Sequence, residues 1–237
     1  MKTITIGDIH GSPYWKAIDI DKYDKVIFMG DYVDDFPPRT DKDIIDNLQE
    51  IIHLKRNNPD KVVLLLGNHD VQYMFLENRG KYHACSGFRA SMSLELKYIF
   101  NYNKDMFKLA LEYNSNGKTH LWTHAGVVTR WYLDRFRFRD NEDVIGYGIG
   151  NQLNEAFEQY EICLFDIGYM RYGTYPNGGP LWADAMELIE DPLDNLHQIV
   201  GHSKVTEIKT INKKDRDASV TFVDRLHEAP DFYELNI

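Results

Sequence analysis

The sequence is poor in the features that mark several protein classes. Cys85 and Cys163 are the only cysteines in 237 residues, and their separation fits neither a redox pair nor a thiolate metal site. A disulfide-stapled scaffold is therefore not expected. No apolar run is long enough to cross a bilayer. The chain enters a strand at once, so no signal peptide is expected either. Positive charge is scarce, with 27 Lys and Arg against 37 Asp and Glu and a net charge of −10. That balance argues against an extended nucleic-acid groove and repels anions at long range, so an anionic substrate would need a local group of cations. Repeats, low-complexity tracts and linkers are also lacking. The expectation is a reduced, cytoplasmic protein without a membrane segment, built as one domain over 1–237.

What is present alternates between strand and helix signals. "KTITI" (2–6), "KVIFMG" (25–30) and "KVVLLLG" (61–67) are apolar runs. Between the second and third, Ile44, Ile45, Leu48, Ile51, Ile52 and Leu54 recur at helical spacing until Asn58-Pro59 stops them. Residues 12–20 read as a short helix with Ser12 as its cap and Pro13 at its first position. This order predicts an α/β fold with right-handed crossovers and a parallel core sheet. Later strands are expected at 118–127, 197–203 and 218–225, and in "DFYELNI" at the end. Residues 71–117, mainly helical and aromatic-rich, and about 130–196 read as elaborations. The aromatic residues of the first, Tyr73, Tyr82 and Phe88 among them, read as packing.

Five apolar runs end alike: "GDIHG" (7–11), "GDYVDD" (30–35), "GNHD" (67–70), "THAG" (123–126) and "GHS" (201–203). Each presents Asp, Asn or His as the strand stops. In an open α/β sheet such ends share one edge, where ligands bind. Carboxylates, imidazoles and one amide oxygen suit Mn, Fe or Zn, and one bridging carboxylate can hold two such ions. Gly7, Gly30, Gly67 and Gly201 each precede a candidate ligand, where a glycine permits a sharp turn and a close backbone approach. His53, His83, His120, His197 and His227 fall outside the pattern and read as surface or core histidines.

In this order the motifs resemble those of the calcineurin-like metallophosphoesterases. The nearest branch is that of the phosphoprotein phosphatases and symmetrical diadenosine tetraphosphate hydrolases. "GDYVD" and "LWAD" (181–184) are similar to the former, "GNHD" and "HAG" to the latter. The resemblance implies a four-layer αββα sandwich, two mixed sheets flanked by helices. It also implies two divalent transition-metal ions, Mn first, with Fe or Zn as alternatives. Asp8 and His10 would bind the first ion, Asp31 would bridge, and Asn68, His124 and His202 would bind the second. His69 would protonate the leaving group, oriented by Asp34. The implied activity is phosphoester hydrolysis by a metal-bridging hydroxide, with a phosphatase of the serine/threonine protein phosphatase type first. A diadenosine-tetraphosphatase-like or nucleotide phosphoesterase is the alternative. A non-enzymatic scaffold of this kind would have lost ligands, and here every position is filled.

The sequence departs from the family at two places. Protein phosphatases follow Gly-Asp-x-Val-Asp with Arg-Gly, and that arginine clamps phosphate. Here Asp35 and Phe36 follow. Arg39, Arg89, Arg130 and Arg171 are the candidate replacements, with Arg171 first and Arg39 also carried forward. The last motif ends in Lys204 rather than the second histidine of many relatives, which fits the protein-phosphatase branch.

Overall fold

The computed structural model describes residues 1–35, 39–78, 85–136, 148–227 and 229–237. Phe36, Tyr82 and His83, together with 79–84 and 137–147 of the two elaborations, lie outside the described residues. The chain divides into two compact units, one made of Met1–Lys108 with Asp224–Asn236, the other centred on Leu109–Val223. Among the described residues no helix is long and apolar enough to cross a membrane.

The first unit is built on β1 (Lys2–Ile6), β2 (Lys25–Phe28), β3 (Val62–Leu65) and β4 (Phe107–Lys108), all parallel. The last strand, β10 (Tyr233–Asn236), adds antiparallel to β1 and makes the sheet mixed. The residues of β3 and Val26, Ile27 and Phe28 of β2 are buried on both faces, as a helix-covered parallel strand requires. Helix α1 (Asp41–Asn57) crosses from β2 to β3. Thr40 and Asp43 close a capping box at its start, Asp41 and Asp43 occupy its first turn, and Lys55 and Arg56 its last. It buries Ile44, Ile45, Leu48, Ile51 and Ile52. Helices α2 (Asn68–Met74) and α3 (Ser93–Tyr102) follow β3.

The second unit begins with a hairpin of β5 (Ala110–Ser115) and β6 (Lys118–Thr123). Its two-residue turn, Asn116-Gly117, has positive φ at both positions, the conformation that suits strand twist. Strands β7 (Leu196–Val200) and β9 (Ala218–Phe222) continue parallel to β6, and β8 (Lys209–Lys213) pairs antiparallel with β9. The helical pieces are α4 (Thr129–Trp131), α5 (Ile149–Glu158) and α6 (Ala185–Glu190). Both sheets are thus mixed and flanked by helices.

Three sequence expectations need correction. Residues 107–115 are strand rather than helix: they add β4 to the first sheet and open the hairpin of the second. Strand β8 was not expected; its alternation is short and polar. The helix expected at 12–20 is a 3₁₀ turn, Tyr14–Ala17, with Pro13 at the cap position and Ser12 Oγ accepting the Tyr14 amide at 3.4 Å.

Candidate metal centre

The parallel strands of the first unit deliver the first group of residues. Asp8 and His10 follow β1, Asp31 and Asp34 follow β2, and Asn68 and His69 open α2 after β3. Asp8, Asp31, Asp34 and Asn68 are all buried. Donor atoms of His10, Asp31 and His69 lie within 4.8 Å of one another. His10 Nδ1 sits 2.9 Å from the Val33 carbonyl oxygen, which sets the tautomer with hydrogen on Nδ1. Its Nε2 then faces Asp31 Oδ2 at 3.7 Å as a lone-pair donor, the arrangement a metal-binding histidine needs.

Two glycines let these loops interleave. Gly30 has φ +98°, and a Cβ on it would stand 2.4 Å from the Gly67 amide nitrogen. Asp70, which sequence reasoning left without a role, ties the same loops together. Its carboxylate accepts the amides of Asp31, Tyr32 and Gly67, each at 2.8 Å. Its position at the third residue of α2, with a glycine cap behind it, is the signal that marks such a clamp.

His69 Nδ1 lies 3.0 Å from Asp34 Oδ2, the pairing the motifs predict. Burial opposes a charge on His69, but Asp31 and the bonded Asp34 outweigh it and hold the imidazole pKa above its ordinary value. Asn68 Nδ2 donates to Cys85 Sγ at 3.2 Å, which turns the amide oxygen to the opposite side. Cys85 is itself buried, and burial together with the Asp31 charge pushes its thiol well above the usual range. It therefore offers no thiolate nucleophile. Both cysteines are free.

In the second unit, His124 follows β6 and His202 follows β7, and these strands are parallel neighbours. The two rings meet at 5.0 Å between centroids. Trp182 packs edge-on against His202 at 5.8 Å. Arg171, the first-choice arginine, lies in this group: its Nη2 donates to Ser203 Oγ at 2.7 Å, and its Nε stands 2.8 Å from Asp184 Oδ2. Arg39, in the first unit, pairs with Asp35 at 2.5 Å, so the acid that replaces the expected arginine holds another one. Arg89 is spent on Asp41 and on the carbonyls of Asp35 and Arg39. Lys204 is exposed.

Backbone strain marks the same residues. Among the described residues, the non-glycine positions with positive φ include His10 at 42°, Asp31 at 49°, Asp34 at 61° and His202 at 61°. Such conformations concentrate where function over-determines the chain. The residues present fit divalent transition ions: imidazole, carboxylate and amide oxygen just beyond the strand ends.

The sequence matches the calcineurin-like phosphoesterases over residues 1–229. The chain belongs to that family. It is a metal-dependent phosphoric ester hydrolase. No curated protein matches it in sequence. Two solved structures of a cold-active protein tyrosine phosphatase align with it at 15% identity and TM-score 0.57, covering 99% of this chain and 75% and 73% of theirs. They share the fold. A protein serine/threonine phosphatase from Saccharomyces cerevisiae, similar to human phosphatase PP5, aligns at 16% identity and TM-score 0.47 over 94% of this chain and 67% of its own.

Proposed function

We propose that this phosphoesterase is a phosphatase of the serine/threonine protein phosphatase type, using one dinuclear centre. By the family resemblance, Asp8 and His10 would hold the first ion, Asn68, His124 and His202 the second, and Asp31 would serve both. When bound, the two ions supply an activated water and a positive field for the phosphoryl oxygens. The protein supplies the rest. His69 donates its proton to the departing oxygen, while Asp34 keeps the ring oriented and balances its charge. Arg171 and Arg39 bind phosphoryl oxygens, and their acidic partners Asp184 and Asp35 hold each guanidinium in place beforehand.

The observation that carries this reading is the His69–Asp34 pair, because a proton donor held by a buried carboxylate serves a leaving group of high basicity. An alkyl or aryl alcohol leaving a phosphomonoester is such a group. The test loads the full chain with Mn and assays p-nitrophenyl phosphate and its bis ester. It adds phosphoserine and phosphotyrosine peptides and diadenosine tetraphosphate, the second peptide because the structures of like fold are described as tyrosine phosphatases. Loss of activity on the order of 100-fold or more is expected in Asp31→Asn and His69→Gln. Wild type no faster than either variant would refute the proposal, and fastest turnover of diadenosine tetraphosphate would replace it with the dinucleotide reading.

A further inference from the structure

The buried Asp34 carboxylate receives more than His69. Gln72 Nε2 donates to Oδ2, the oxygen that faces His69 Nδ1, and Tyr73 Oη donates to Oδ1. His69, Gln72 and Tyr73 stand at i, i+3 and i+4 of α2, so one short helix face presents all three donors. Gln72 and Tyr73 are fully buried.

The direction of these bonds is fixed from behind. Gln72 Oε1 accepts the Cys85 amide at 3.1 Å, so the NH2 end of Gln72 must face Asp34. Tyr73 Oη accepts the Arg89 amide at 2.8 Å, so the phenolic proton points at Asp34. A carboxylate given a hydrogen on each oxygen by its other neighbours can only accept from His69. The imidazole then carries hydrogen on Nδ1 toward Asp34 and turns Nε2 outward. Rotation of either the carboxylate or the ring breaks at least one of these bonds.

We propose that Gln72 and Tyr73 are positioning residues for the reaction, which lock Asp34 as an acceptor and so fix the tautomer and orientation of His69. This rests on the reading of His69 as proton donor. Neither residue touches the reacting atoms; both act through Asp34.

The test compares wild type, Tyr73→Phe, Gln72→Met and, as reference, Asp34→Asn, all in the full chain. The first readout is the imidazole nitrogen and proton NMR spectrum of His69 in the presence of Zn, which is diamagnetic. Wild type shows a hydrogen-bonded Nδ1–H, and each variant shifts that proton upfield or mixes the tautomers. The second readout is the leaving-group dependence of the Mn-loaded enzyme. A less well-aimed proton donor matters most for a basic leaving group. Tyr73→Phe is therefore expected to lose about tenfold more kcat on phenyl phosphate than on p-nitrophenyl phosphate, with KM unchanged. Equal losses on the two substrates, or an unaltered His69 signal in a variant that melts like wild type, would overturn the proposal. If Tyr73→Phe does not fold, Gln72→Met carries the same test. A neutral wild-type imidazole with hydrogen on Nε2 alone and none on Nδ1 refutes it without any variant. A wild type inert on both substrates would retire the phosphatase reading, and the NMR arm would still decide the positioning.

Discussion

Gly67 lies so close to Asp31 that a Cβ on the glycine would stand 2.0 Å from the aspartate Oδ1 and 2.6 Å from its amide nitrogen. That oxygen already accepts the His69 amide at 2.9 Å. The obstacle is thus a pinned carboxylate and main chain, with no flexible tip to move aside. Gly67→Ala should displace the proposed bridging carboxylate. The expected result is a loss of Mn affinity by about tenfold or more, with roughly 2–3 kcal/mol of stability lost to overpacking. Calorimetric Mn titration and urea unfolding measure the two effects, and wild-type Mn binding in this variant would contradict the geometry.

Asp70 offers a second lever on the same loops. Asp70→Ala leaves the amides of Asp31, Tyr32 and Gly67 without the carboxylate that accepts them. Unsatisfied buried donors cost about 1–3 kcal/mol each, so a total near 4 kcal/mol is expected. Asp70→Asn, which keeps one accepting oxygen, should lose about half as much. Urea midpoints at constant slope give the comparison; equal stabilities would show that the clamp carries no load.

The two tethered arginines make separable predictions. Arg171→Ala and Arg39→Ala should each lower kcat/KM for phosphomonoesters by about 10- to 100-fold. Arg171→Lys should recover little, because a point charge cannot replace a planar fork held at Ser203 and Asp184. Steady-state kinetics on p-nitrophenyl phosphate decides, and unchanged kinetics would remove that arginine from phosphate binding.

His197 predicts a pH dependence of stability. It is buried in β7 between Ser219 Oγ at 2.6 Å and Thr221 Oγ1 at 3.2 Å, beside His120. Burial, then the neighbouring His120 and Lys118, lowers its pKa from 6.5 to about 4. The unfolded chain therefore takes up a proton as pH falls below 6.5, while the folded chain resists until about 4. Stability from this group is present above that window and lost on acidification through it. Between pH 7 and 5 the loss is about 2 kcal/mol. In His197→Asn the same drop in pH should cost about that much less by urea unfolding, and an identical pH slope would refute the assignment.

The sequence made the strand ends legible because each couples two independent signals, an apolar run and a polar residue where the run stops. Asp8, His10, Asp31, Asn68, His124 and His202 all stand just beyond strands of parallel pairing. Residues 107–115 are hidden inside a mainly helical stretch although Phe107, Leu109, Leu111 and Tyr113 alternate as a strand does, and pairing with β3 and β6 confirms the strand. Tyr73 looked like packing because its ring is apolar; its hydroxyl bond to Asp34 depends on a loop residue 39 positions away. Gln72 is silent for the same reason, since long-range hydrogen bonding leaves no periodic trace, whereas Asp70 carries a local signal as the third residue of α2 behind Gly67.

The left-handed backbone at His10, Asp31, Asp34 and His202 narrows what can ever stand there. Apart from glycine, asparagine, aspartate and histidine enter that conformation most readily. Those three are also oxygen and nitrogen donors for cations. At these four corners the main chain and the chemistry thus select from nearly the same short alphabet. An alanine there confounds two losses, whereas an asparagine exchanged for aspartate tests the donor atom with the corner left intact.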